Sequence, residues 1–416
     1  AGPGPARGQA APLAIASVDS AGLPSNGDSN TSAVSADGSF VAFVSKADNL
    51  VPGDGNQQAD VFRHDLSTGA TIRVSVGDAE QEAQLECVDP GISRDGRLVV
   101  FQSDAANLVA GDTNGFADIF LRDTLLGTTV RVSVGTHGNE AALPCVTPSI
   151  SSDGRAVAFL SYSTNLGGGW SPGIQDVFVR DLERDTTECV SRGPHGALAN
   201  HSSWSPSVSA NGRFVAFSSQ ANNLVSFDSN GTHDVFVFDR RTGKTEMVSV
   251  SSSGAQGSGP SLTCRISGDG RFVAFTSYAS NLVSGDDNTD SDVYLHDRQT
   301  GTTEIVSQNS LGQVGAEESD HPAISGDGRF VAFHSHAGNL GPLHVDNRVS
   351  DVFLRDRLLG ITTCLSVGLH RLPGSEGSQL PAIAADLPVV AFESRADNLV
   401  SPDGNESSDV FVHVQD

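Results

Sequence analysis

Short apolar runs alternate along the chain with polar stretches rich in Gly and Asp, and the alternation repeats. The block Asp-Gly-Arg-Phe-Val-Ala-Phe, or a close variant, closes on Phe43, Phe101, Phe159, Phe217, Phe275, Phe333 and Phe392. The first five steps are 58 residues and the last is 59. Two further markers keep the same register. One is the Asp that opens an Asp-Val-Phe block: Asp60, Asp118, Asp176, Asp234, Asp292, Asp351 and Asp409. The other is the Asn of an Asn-Leu pair: Asn49, Asn107, Asn165, Asn223, Asn281, Asn339 and Asn398. Three markers in step over seven copies define an internal repeat. It overrides the two or three domains that 416 residues alone suggest.

Each copy predicts four strands, A to D. Strand A is a short run such as 148–151. An Asp-Gly pair such as Asp153-Gly154 then makes a tight hairpin turn. Strand B is the Arg-Phe-Val-Ala-Phe run, apolar on both faces, as suits a sheet packed on both sides. A long loop follows. Strand C, as in 176–181, turns through segments such as Thr242-Gly243 into strand D. No helical period longer than a turn appears.

The last copy stops after strand C, so it lacks a strand D. Counting 20 residues back from each Asp-Gly turn gives Ser75, Ser133, Ser191, Ser249, Ser307 and Ser366, and the same count from Asp37 gives Ser17. Residues 13–18 therefore supply the missing outer strand. A ring spliced in this way has no free sheet edge. The expectation is an all-β, seven-bladed β-propeller with four-stranded blades, one domain over 13–416, behind a flexible lead at 1–12.

The repeat, written SxDGRFVAFxS…DVFxxDxxTG and read here from Ser325 to Phe333 and Asp351 to Asp356, resembles the TolB-like and WD-repeat-like propellers of bacterial surface and periplasmic proteins. The resemblance spans about 13–416. It implies the fold, and a family that hosts binding modules, translocation partners and a few polysaccharide lyases. It also implies a secreted or cell-surface location, which the small, Pro-rich stretch at 1–12 fits as the remnant of signal removal.

Charge narrows the partners. Fifty Asp+Glu against 25 Lys+Arg give a net of −25, with only two lysines, Lys46 and Lys244. Nucleic acid and anionic membrane surfaces both call for basic patches and are excluded. No apolar run approaches the ~20 residues that span a bilayer. Five cysteines are an odd number. Cys87 and Cys145 occupy equivalent places on neighbouring inner strands and either bridge or remain buried thiols, while Cys189 and Cys364 lie three blades apart and cannot meet.

The B–C loop carries Asp-x-Asn-x-x-x-Asp. It is intact as Asp54/Asn56/Asp60, Asp112/Asn114/Asp118, Asp228/Asn230/Asp234, Asp286/Asn288/Asp292 and Asp403/Asn405/Asp409. Copy six has a shifted version in Asp346, Asn347 and Asp351. Copy three has Trp170 and Pro172 in place of the first two and keeps only Asp176. Hard oxygens at positions 1, 3 and 7 suit calcium, whose coordination backbone carbonyls and water complete. The alternative is that Asp and Asn cap the loop. A second repeated Asp (Asp65, Asp123, Asp181, Asp239, Asp297, Asp356) precedes the C–D turn and reads as a turn cap.

A meander puts the long B–C and D–A connections on one face, which becomes the expected working surface. Two groups stand out there. Tyr162, Trp170, His195, His201 and Trp204 gather in one sector, as a platform for sugar rings or as packing around a lost loop. His321, His334, His336 and His344 cluster in blade six with Asp320, without motif spacing. The reading is a secreted, monomeric, calcium-binding module that binds a glycan or a surface protein without catalysis. One rival is a lyase-like enzyme with the blade-six histidines at the channel mouth, for which Arg265 and Arg348 are the candidates to hold an acidic sugar. The other is a purely structural repeat module.

Overall fold

The computed structural model describes residues 13–167, 173–341, 349–368, 372–401 and 403–415. Its 28 strands form seven four-stranded antiparallel sheets. In six sheets the strands follow chain order from the inside out, as in 29–34, 40–45, 60–65 and 71–73 of blade one. The seventh joins both ends of the chain. Leu13–Ile15 pairs with Asp409–Val414, with Ala14 opposite Val412. The chain is a seven-bladed β-propeller closed by its first strand.

Strand B repeats because each copy fills the same slot. The Phe closing its motif is fully buried and stacks on an aromatic ring of strand C directly across the sheet, as in Phe43–Phe62 (centroids 5.8 Å apart) and Phe101–Phe120 (5.8 Å). All seven blades hold such a pair, with Tyr294 as partner of Phe275 in blade five. Burying one such ring contributes about 2–3 kcal/mol. The A–B turn is equally constrained. Gly96 has φ +69°, and a Cβ there would sit 2.1 Å from the Phe40 ring of the preceding blade.

Strand A is longer than the four residues its pattern suggests, running for instance over Cys145–Ile150. A bulge in its middle breaks the alternation. The bulged residue has positive φ in six blades: Thr31, Asp89, Thr147, Ser205, His321 and Leu380. A neighbour satisfies the freed amide in several blades. Glu393 Oε2 accepts from Thr31 N (2.9 Å), and Gln102 Oε1 accepts from Thr147 N (3.2 Å).

All five cysteines are free, which settles the open pairing of Cys87 and Cys145. They occupy the place that Ser29, Ser203, Ser261, Ser319 and Ser378 hold elsewhere. There each serine hydroxyl meets a strand-B hydroxyl, as in Ser29–Ser45 (2.8 Å) and Ser261–Ser277 (2.9 Å). Cys145 Sγ likewise lies 3.4 Å from Ser161 Oγ. Each thiol faces into its own blade, and burial pushes both thiol pKa values up to about 12.

Candidate functional site

The serine used to count strand D holds the closing Asp of each acidic loop. Ser249 Oγ donates to Asp234 Oδ1 (2.6 Å) and accepts from Val235 N (3.1 Å), and Ser17 does the same for Asp409 (2.6 Å) and Val410 (3.1 Å). The loop Asn is a hub of its own. Asn56 Nδ2 donates to Asp60 Oδ2 (2.8 Å) and to the Ala83 carbonyl (3.1 Å), while its Oδ1 accepts from Gln58 N (2.9 Å). Asn114, Asn288 and Asn405 repeat the arrangement, and Asn230 keeps its carbonyl and turn contacts. The amide thus ties the B–C loop to the following D–A connection, which is the capping role.

What remains for a cation is the first Asp and one oxygen of the closing Asp. In blades one and two that place is filled from within. Arg73, at the end of strand D, puts Nη1 3.2 Å from Asp54, 3.6 Å from Asp60 and 2.6 Å from Glu82. Arg131 stands 3.3 Å from Asp112, 3.3 Å from Asp118 and 2.6 Å from Glu140. Asp112, Asp118 and Glu140 lie close enough together to share one metal ion. The Arg131 guanidinium lies among the same three carboxylates. Glu82 and Glu140 come from the D–A connection and complete a site that the loop motif alone does not reveal. The signal was present in the sequence. Arg and Glu occur together in blades one and two, whereas the same two positions hold Met247 and Gln256, Ile305 and Val314, and Ile15 and Pro24 in blades four, five and seven.

Those three blades keep their carboxylates without an arginine. In blade four Asp234 Oδ2 is buried without a hydrogen-bond partner, and Asp228 meets only Gln256 Nε2 among charged or amide side chains (3.4 Å). Burial pushes Asp234 up to about 6. In blade five Asp286 takes a hydrogen bond from the Tyr294 hydroxyl, and its Oδ1 is buried without a partner. Burial also holds Asp292 at about 6. In blade seven burial, then the charges of Asp409 and Asp397, push Asp403 to about 6. Orphaned buried oxygens and raised carboxylates are what an oxygen-liganded cation would relieve. Asp346 and Asn347 of blade six lie outside the described residues, while Asp351 keeps its bond from Ser366 (2.6 Å). In blade three Asp176 keeps its serine bond, from Ser191 Oγ (2.6 Å).

The repeated Asp before the C–D turn caps it as expected. Asp239 Oδ1 accepts from Arg241 N (2.9 Å) and is also clamped by Arg213, which holds its carboxyl at about 2.

The channel mouth on the loop-rich face is ringed by the residue three beyond each marker Phe: Lys46, Asp104, Tyr162, Gln220, Tyr278, His336 and Arg395. All seven are exposed. The amides of Lys46, Gln220, Tyr278 and His336 bond the D–A connection just before strand A, as in Tyr278 N to Pro260 O (3.0 Å) and Lys46 N to Asp28 O (2.9 Å). Between blades seven and one the rim opens into a cavity of about 290 Å³ bordered by Asp28, Asn30, Gln379, Glu393 and Arg395.

The aromatic sector divides. Tyr162 belongs to this rim, whereas Trp170 lies outside the described residues. Trp204 is not in the D–A connection. It is the second residue of strand A in blade four (Ser203–Val208), and its ring lies tilted against His233, centroids 4.8 Å apart. The bulge extended strand A backwards over a position that the pattern had left in the loop. His195 sits on a 3-10 turn (Pro194–Gly196) with φ +59°, and His201 is exposed in the next connection. In blade six the His321 and His334 rings stack at 5.1 Å, with Asp320 Oδ2 3.4 Å from His321 Nδ1. Burial, then the His321 charge, push His334 down to about 4. Burial opposes the Asp320 charge, but hydrogen bonds from His321 and Thr276 outweigh it and hold that carboxyl at about 2. His336 stands on the rim, and His344 and Arg348 lie outside the described residues.

No protein-family profile and no curated protein matches the sequence. Solved structures do. An oligogalacturonate lyase in complex with manganese is 12% identical with a TM-score of 0.56, covering 99% of this chain and 98% of that one. The oligogalacturonate lyase of Vibrio parahaemolyticus is 13% identical with a TM-score of 0.55, covering 94% and 90%. TolB from Acinetobacter baumannii is 16% identical at a TM-score of 0.47, covering 83% and 67%. The neighbours are TolB-like and other seven-bladed propellers. At these identities the likeness concerns the fold. Among the described residues, no helix is long and apolar enough to cross a membrane.

Proposed function

We propose that the chain is a secreted, calcium-binding β-propeller that acts as a non-catalytic binding module and takes a glycan at its loop-rich mouth. The observation that carries the reading is the rim. Two exposed tyrosines, Tyr162 and Tyr278, stand on a ring otherwise made of hydrogen-bonding side chains, and the ring opens into a polar cavity sized for about one sugar. Tyrosine faces stack on the apolar side of a pyranose, and amides, carboxylates and Arg395 suit its hydroxyls. The cation would sit in blades four, five and seven between Asp228 and Asp234, Asp286 and Asp292, and Asp403 and Asp409. There it would neutralise carboxylates that no arginine reaches and stiffen the loops behind the rim. Affinities suited to extracellular calcium fit the secreted reading.

A lyase reading has one observation in its favour. His334 carries a buried Nδ1 without a hydrogen-bond partner, and His321 Nδ1 lies 3.4 Å from Asp320, at the same mouth. The two lyase-named neighbours agree with it in fold alone.

A glycan array followed by calorimetry tests the reading. The expected result is sub-millimolar binding without turnover. Tyr278→Ala and Arg395→Ala each weaken it about tenfold, the equivalent of about 1.4 kcal/mol. Leu125→Ser on the opposite face leaves it unchanged. A rise in ultraviolet absorbance on incubation with the bound polysaccharide would establish the lyase reading instead.

A further inference from the structure

The cavity between blades seven and one has a cause in the sequence. In blade four the second residue of strand A and the residue before strand C are Trp204 and His233, whose rings lie 4.8 Å apart. The same two positions in blade seven hold Gln379 and Ser408. This smaller pair leaves the space of about 290 Å³ against Asp28 and Asn30 of blade one.

Glu393 forms one wall of that space. It follows the marker Phe of strand B in blade seven and pairs with Gln379 across the sheet. The equivalent residues are Val44, Gln102, Leu160, Ser218, Thr276 and His334, so a carboxylate occurs there once in seven blades. Glu393 is only 8% exposed. Its Oε2 accepts from Thr31 N (2.9 Å) and its Oε1 from Gln379 Nε2 (2.8 Å). In blade two Gln102 does the same structural work without a charge, since its Oε1 accepts from the bulged Thr147 N (3.2 Å). A neutral amide therefore suffices for the fold. Burying a carboxylate in its place costs free energy unless a cation meets it. Asp28 adds a second carboxylate, with Oδ1 accepting from Ser408 N (3.0 Å). Among the described residues, neither acid has an ion-pair partner, and Arg395, which borders the same cavity, pairs with neither.

The surroundings are also acidic on balance. Lys46 is matched by Glu86 (3.9 Å), and Asp104 stands exposed on the rim of blade two. Arg265 does not border this cavity. It lies near the end of strand A in blade five, with Nη1 donating to the Cys264 carbonyl (2.9 Å). In a chain of net charge −25, the field at such a mouth favours cations.

We propose that the sugar taken at the mouth is an amino sugar, whose ammonium group docks in the cavity between blades seven and one on Glu393 and Asp28. This rests on the glycan reading above. An ammonium offers three donors, which match the two carboxylates and the Gln379 amide oxygen, and hydrogen bonds to ionised acceptors are the stronger kind. Arg395, exposed at the rim, serves the hydroxyls of the same sugar.

The test compares three oligosaccharides of one length by calorimetry at pH 6: glucosamine, its N-acetylated form and glucose. The amine form is expected to bind at least tenfold more tightly than the other two. Glu393→Gln, which keeps the hydrogen bonds by the precedent of Gln102, brings the amine form down to the affinity of the glucose form. Asp28→Asn weakens it severalfold. Equal binding of the three, or a preference for the amine that survives Glu393→Gln in a variant with the wild-type melting temperature, overturns the assignment while leaving the glycan reading intact. Absence of binding by every saccharide overturns the glycan reading, and this assignment with it. Glu393-dependent binding of a lysine-rich peptide but of no amino sugar overturns the saccharide class.

Discussion

Arg131→Ala is expected to cost the calcium-free protein about 3–5 kcal/mol at pH 7.5, the range for removing one partner of a buried charge cluster. Arg131 is 10% exposed, and two of its three carboxylates, Asp112 and Asp118, are 4% and 0% exposed. Without the guanidinium, three acidic groups face one another inside a shared radius. At an effective dielectric of ~20, each close pair repels by about 4 kcal/mol. The same three carboxylates can share one ion, so millimolar calcium should restore most of the loss in the variant, and blade two of the wild type is expected to gain nothing from it. Denaturant unfolding in chelator and in calcium measures both effects. A loss under about 1 kcal/mol, or a loss that calcium leaves unchanged, would mean that the arginine is not the resident counter-charge.

Removing residues 1–18 is expected to open the ring. Three ladder residues pair Leu13–Ile15 with the last strand. Ala16 N donates to Val410 O (2.7 Å), and Ser17 holds both Asp409 and Val410 N. At about 1 kcal/mol for each net hydrogen bond, the truncation loses roughly 4–6 kcal/mol. It also bares the six-residue edge of Asp409–Val414. An open apolar edge recruits another chain, so light scattering should show oligomers along with the lower unfolding midpoint. Ser17→Ala alone should cost roughly 2 kcal/mol, since it leaves a buried carboxylate short of a donor. A truncated chain that stays monomeric with an unchanged midpoint would contradict the closure account.

The ring was legible in the sequence because each copy solves the same packing problem with the same residues. The marker Phe is a buried ring in a stacked pair, and Ser17 announced the splice because its partner Asp409 needs a serine at that place in every blade. Strand A was underestimated because a bulge interrupts its period, which also misplaced Trp204. The acidic loop was ambiguous for a chemical reason. Asn and Asp are the residues that cap loops and also those that ligate hard cations, and the structure assigns the Asn to the cap. The arginine between the carboxylates lies on a different strand, far along the chain, and only the joint appearance of Arg73 with Glu82 and of Arg131 with Glu140 hints at it.

Counting bound calcium by isothermal titration tests the central claim most directly. Asp234, Asp292 and Asp403 have carboxyls raised to about 6 in the folded protein. A raised carboxyl favours the folded state when protonated. That contribution is complete below about pH 4 and lost as pH rises through about 6. The calcium-free protein therefore loses stability toward neutral pH from these groups, and calcium should replace the departing protons. The account predicts about three calcium ions per chain at pH 7.5, weaker binding at pH 5, and a melting temperature that chelator lowers at pH 7.5. Asp228→Ala, Asp286→Ala and Asp403→Ala should each remove one ion, while Asp54→Ala in the arginine-filled loop of blade one removes none. No calcium uptake, with a melting temperature indifferent to chelator, would contradict it.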